Sequence, residues 1–182
     1  MPTCDPLILT PACREIIAAQ PRSVLDVGIG YGKWGLLVRE YAEVWKHHRL
    51  YREDWQVHLT GVEIHERYEN PTWQLYDKIY RGDVTELPQQ LSLGEGHFDL
   101  GIMIDVLEHI PREKAEPFLA WLFTVCRRVL ISYSNHPQKA VGGNPHEDHV
   151  SQWSSSSFGN HSWRLLAGDD RTWGLFLVGD PR

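Results

Sequence analysis

Acidic residues recur at the ends of apolar runs in this chain: Asp26 after Val24-Leu25, Glu63 in GVEIHERY, Asp83 in RGDV and Asp105 in IMIDVLEHI. Carboxylates gathered at one place repel one another unless a ligand brings donors or positive charge. Ionised carboxylates only accept hydrogen bonds, so the matching ligand is rich in hydroxyls and amines. An anionic ligand would call for Arg and Lys instead. Directly behind Asp26 come Gly28, Gly30 and Gly32, in DVGIGYGKWG. Glycines at that density are costly to order, and a ligand approaching the backbone where a Cβ would intrude accounts for them. Gly35, further on, reads as a close packing point of a helix.

Histidines form a second group, with His109 beside Glu108 and with His146 and His149 in GNPHEDHVSQWS. An imidazole titrates near neutral pH and suits proton transfer. His149 is the first choice for a base and His146 the second. If a helical turn starts at Asp105, then Asp105, Glu108 and His109 share a face, and a later histidine could complete a metal site. The simpler reading, which we take, has no metal.

The elements that must carry these residues alternate. Thr10-Pro11 reads as a cap and first helical residue, opening a helix to Gln20 that Pro21 ends. Strands are expected at Ser23 to Val27, Val57 to Ile64, Lys78 to Arg81, Phe98 to Ile104 and Arg128 to Tyr133. Trp34, Leu37, Val38, Tyr41, Val44 and Trp45 recur at helical spacing, before a polar connection over residues 46–56. A helix spans about Arg112 to Arg127, with its regular part starting only at Pro117. A loop over Ser134 to Val150, a short helix at Ser154 to Phe158 and strands at Ser162 to Leu166 and Thr172 to Val178 follow. Gly168-Asp169-Asp170 reads as their hairpin turn. Such alternation implies a parallel sheet with helices on both faces and a ligand at the carboxyl ends of the strands. Each acidic residue named above falls at that edge.

Length and composition fit this picture. The chain has 182 residues, 42% of them hydrophobic, and a net charge of −6. One domain over 1–182 is expected. The acidic balance argues against nucleic acid as a partner. The three cysteines lack CxxC spacing and read as reduced thiols of a cytoplasmic protein. Neither a membrane span nor a signal peptide is legible, and either a monomer or a homodimer fits. Trp45, Tyr51, Trp55, Tyr68, Trp73 and Trp153 offer ring faces for an acceptor pocket, although core packing accounts for most of them.

Gly30-Tyr-Gly32-Lys-Trp-Gly35 also matches the GxGxxG of dinucleotide-binding folds, but in those the loop follows its strand with no acid at the place of Asp26. Taken as an ordered set, Asp26-x-Gly28-x-Gly30-x-Gly32, Glu63, Asp83 and Asp105-Val-Leu-Glu108-His109 resemble the four motifs of class I S-adenosylmethionine-dependent methyltransferases, over about residues 22 to 180. GYGKWGLLVREY, GVEIHERY, DVLEHI and GNPHEDHVSQWS are similar to a small bacterial group of unassigned substrate. The resemblance implies an α/β fold: a doubly wound, mostly parallel seven-stranded sheet with a C-terminal antiparallel hairpin. It implies S-adenosylmethionine as cofactor, S-adenosylhomocysteine as product, and a small-molecule acceptor with a hydroxyl or amine, such as a sugar or natural product. By the same resemblance, Asp26 would take the cofactor's amino group, and Gly28, Ile29, Gly30, Tyr31 and Gly32 would line its methionine part. Glu63 with Ile64 would hold the ribose, Asp83 with Val84 the adenine, and Asp105 with Val106 would face it from the fourth strand. Three alternatives stay open: a metal-assisted RNA 2′-O-methyltransferase, a non-catalytic cofactor-binding module and a nicotinamide-dependent oxidoreductase.

Overall fold

The computed structural model describes residues 3–179. Its strands are β1 (Ser23–Val27), β2 (His58–Glu63), β3 (Lys78–Arg81), β4 (Leu100–Met103), β5 (Val129–Ser134), β6 (Trp163–Gly168) and β7 (Trp173–Val178). They form one seven-stranded sheet in the order β3-β2-β1-β4-β5-β7-β6. The first five strands are parallel, and β7 runs antiparallel to both β5 and β6. The α/β architecture, the seven strands and the closing hairpin are those expected. The strand order reverses between β1 and β4, so the β1 and β4 ends open onto one crevice.

Alternate side chains of each strand enter different cores. Leu25, Val27, Val62, Met103 and Ile131 pack with Phe118 and Leu122 of α5 (Arg112–Val125). Val24, Leu59, Leu100, Ile102 and Leu130 pack with Ile8 and Ile16 of α1 (Pro6–Ala19) and with Trp34 and Val38 of α2 (Lys33–Arg39). Asp26 thus points to the α1/α2 side.

Two helix boundaries differ from expectation. Asp5 caps α1 through its side chain, accepting the Leu7 N–H, and Pro6 holds the first position, so Pro11 lies inside the helix. Pro117 is likewise inside α5, which is regular from Arg112. Each proline costs its helix one hydrogen bond, about 3 kcal/mol in an isolated helix. The buried faces, Ile8, Ala12 and Ile16 in one and Ala115, Phe118, Leu119 and Leu122 in the other, outweigh that cost. Strand β4 is shorter than its apolar run: it stops at Met103 before the chain turns at Asp105, whose φ is +53°, and at its start Phe98 makes only an isolated bridge to Cys126.

Helix α2 continues through a π-helical turn (Glu40–Val44) into α3 (Trp45–His47). The turn presents Glu43, fully buried, to Arg39, 2% exposed. Arg39 also bonds the Leu75 and Val57 carbonyls and Asp77, while Glu43 accepts the Gln56 and Val57 N–H groups. This buried cage anchors the polar connection 46–56 to the start of β2. A short α4 (Leu87–Gln90) follows β3. No helix among the described residues is long and apolar enough to cross a membrane.

Candidate active site

A cleft of about 340 Å³ opens at the carboxyl ends of β1 to β4. Gly28, Ile29 and Gly30 line it from β1, Glu63 and Ile64 from β2, Asp83 and Val84 from β3, and Asp105 and Val106 from β4. The structure therefore brings these nine expected residues together. Asp26, Tyr31, Gly32 and His149 do not line the cleft, whereas His146 and His109 do.

The glycine loop is held from several sides. Gly28 and Gly32 both have φ +79°, a conformation in which a Cβ is strained. A Cβ at Gly28 would meet Val106, one at Gly32 would meet Thr72, and one at Gly35 the Tyr76 ring. These glycines make room for the protein itself, which corrects the expectation that Gly28 and Gly32 answer to a ligand alone. The Trp73 indole donates to the Gly30 carbonyl at 2.8 Å, and the Thr72 hydroxyl donates to the Tyr31 carbonyl. Glu63, 6% exposed, accepts the Gly30 N–H through Oε2 and the His65 N–H through Oε1, each at 2.8 Å.

Asp26 is 1% exposed beneath this loop. The Tyr76 hydroxyl donates to its Oδ2 and accepts the Gly35 N–H at 3.1 Å. Its Oδ1 is buried with no protein partner. Burial pushes the Asp26 carboxyl up to about 7, against the pull of the Tyr76 hydrogen bond. Asp83 caps the turn after β3, accepting from the Thr85 N–H and hydroxyl. Asp105 takes the Ser132 hydroxyl on Oδ1 and gives its own N–H to that oxygen at 2.9 Å. Burial raises its carboxyl, opposed by Ser132.

The loop Ser134 to Val150 forms the far wall. Asn144, 4% exposed, caps the turn Pro145–Glu147 by accepting the His146 N–H at 3.0 Å. His146 reaches the cleft from this turn. The expected first choice, His149, turns instead toward the His136 carbonyl and stacks edge-on against His109 with ring centroids 4.8 Å apart. His109 lines the cleft, as His149 does not, and has its own Nδ1 3.0 Å from the Asp148 carbonyl. Burial lowers the His109 imidazole from its ordinary value. Glu108 is fully buried, its Oε1 taken by the Ser134 N–H and its Oε2 without a partner.

Sequence reasoning did not assign Lys33, Lys114 or Asn144 to the cleft, all of which line it. Nothing in their spacing marks them, because a loop and two different helices bring them in. Of the aromatic residues singled out, only Tyr68 lines the cleft. Trp73 and Trp153 are buried in packing, and Trp45 and Tyr51 are exposed.

No family model and no curated protein matches the chain. Solved structures do match in shape. WbdD superposes with a TM-score of 0.61 at 17% identity, over 91% of this chain and 34% of that one. An O-methyltransferase family protein from Burkholderia thailandensis gives 0.63 at 10% identity, over 93% and 55%. The 1,6-didemethyltoxoflavin-N1-methyltransferase of the same organism, with bound 1,6-didemethyltoxoflavin and S-adenosylhomocysteine, gives 0.61 at 17%, over 97% and 80%. The chain spans about a third of WbdD and about half of the O-methyltransferase family protein. At these identities the likeness speaks for architecture. The fold is that of the class I S-adenosylmethionine-dependent methyltransferases.

Proposed function

We propose that the chain binds S-adenosylmethionine in this cleft and methylates a hydroxyl or amine of a small molecule. The observation that carries the reading is Glu63: a nearly buried carboxylate at the cleft wall, bonded to the glycine loop, with lone pairs left for two ribose hydroxyls. Asp26 lies beneath the glycine loop and outside the cleft lining, so its partnerless Oδ1 would serve the cofactor's ammonium group through a water rather than directly. Asp83 and Val84 offer an acceptor and an apolar face to a base. When bound, S-adenosylmethionine supplies an electrophilic methyl group on a sulfonium. The chain's own task is then to align an acceptor and to take the proton that the hydroxyl or amine gives up. His146, which lines the cleft wall as His109 also does, is our candidate for that proton.

Calorimetry tests the reading. S-adenosylhomocysteine should bind with a micromolar Kd and NAD(H) should not; binding of NAD(H) alone would overturn it.

A second reading rests on one cluster. Ligand atoms of Glu108, His109 and His149 lie within 4.8 Å of one another. With Nδ1 of each imidazole donating to a backbone carbonyl, each Nε2 keeps its lone pair for a metal. A divalent cation there would favour a metal-assisted transfer to a hydroxyl, RNA 2′-hydroxyls included.

A further inference from the structure

One hydroxyl ties both flanks of the turn that carries His146. Tyr68 Oη donates to Glu147 Oε1 at 2.6 Å and accepts from Asn144 Nδ2 at 2.9 Å. Asn144 Oδ1 in turn accepts the His146 N–H. The chain of bonds runs His146 N–H to Asn144, Asn144 to Tyr68, Tyr68 to Glu147, and so encloses the turn. Tyr68 itself is fixed independently. It sits in the turn Glu66–Tyr68 that follows β2, with its ring edge-on to Tyr31 at 5.4 Å and to His65 at 4.6 Å. The two partners are 76 and 79 residues away in sequence, so the hydroxyl ties the turn after β2 to a distant loop that also has local bonds of its own, Asn144 N–H to the Val141 carbonyl and Gln138 to the Glu147 carbonyl.

We propose that Tyr68 is a positioning residue of the methyl-transfer site, whose hydroxyl latches the Asn144–Glu147 turn, and with it the His146 imidazole, to the cleft. The inference rests on the function proposed above and adds to it a device that sets where the acceptor's proton goes. Burial, helped by the Glu147 carboxylate, pushes the Tyr68 hydroxyl up to about 12, so it stays a donor throughout the working pH range. Because the same ring touches Tyr31 of the glycine loop, the wall holding His146 and the loop holding the cofactor share one support.

The test is Tyr68→Phe, which keeps the ring contacts and removes only the hydroxyl. Amide exchange of residues 144–149 should speed up at least tenfold in the variant. The His146 ring resonances in NMR should move toward those of a freely rotating histidine, while the Kd for S-adenosylhomocysteine stays within about twofold. Unchanged protection and unchanged His146 resonances would overturn the latch. So would a Kd raised more than tenfold, because that assigns the hydroxyl to the cofactor instead. Failure of the unmodified protein to bind S-adenosylhomocysteine would sink the methyl-transfer reading alone, since exchange and resonances are read without ligand.

Discussion

The Glu63 carboxylate accepts the Gly30 N–H at 2.8 Å, so the residue ending β2 holds the loop that follows β1. Removing it takes away a brace of that loop and, on the function proposed above, a ribose contact as well. Glu63→Ala should weaken S-adenosylhomocysteine binding at least tenfold, as the loss of a charged hydrogen-bond acceptor does. Glu63→Gln keeps one acceptor oxygen and should fall between the two. Isothermal calorimetry reads both, and unchanged affinity in the Ala variant would remove Glu63 from the ribose site.

Asp26 gives stability a pH dependence. Its carboxyl lies at about 7 in the fold, raised by burial, against about 3.9 unfolded. The folded chain holds this proton more tightly. The stability this contributes is fully present below about pH 4 and is lost as pH rises through about 7. Asp26→Asn removes the titration. Relative to the unmodified protein, the variant should therefore gain stability by about 1.4 kcal/mol per pH unit between those two values, and no further above about pH 7. Urea denaturation at several pH values measures it, and parallel curves would refute the assignment.

The Arg39 cage should behave as a buried ion pair. Arg39→Ala leaves Glu43 charged, fully buried and without Arg39, at a cost of about 3–5 kcal/mol. Denaturant unfolding should show that loss; a change under 1 kcal/mol would mean that Arg49 alone neutralises Glu43.

The metal reading has its own discriminator. If Glu108, His109 and His149 hold a cation, Mn²⁺ should raise the melting temperature of the unmodified protein but not of His149→Ala. Identical melting of both proteins with and without Mn²⁺ would leave the cluster a packing feature.

Legibility in the sequence followed distance along the chain. The strand-end acids and the glycine loop were visible because each sits directly after an apolar run, and topology alone carries such residues to one edge. Gly35 was readable as a packing point, although its partner Tyr76 was not. The prolines misled because local propensity marks Pro11 and Pro117 as boundaries, whereas burial of each helix face decided otherwise. The histidines were the hardest. His146 and His149 lie three residues apart in one loop, and only the capping by Asn144 and the His136 carbonyl send one to the cleft and the other against His109. Tyr68 and Asn144 meet across 76 residues, a contact that no spacing rule reaches.

Strand β7 lies between β5 and β6 and pairs Val129 with Val178 and Ser134 with Trp173. During synthesis, β5 therefore emerges about forty residues before the strand that covers its outer edge. Over that interval the nascent chain presents VLISYS as an open, apolar template for pairing with other chains. Premature termination between residues 135 and 172 would release a product whose sheet ends on that bare strand, open to pairing with other chains because the last hairpin never covers it.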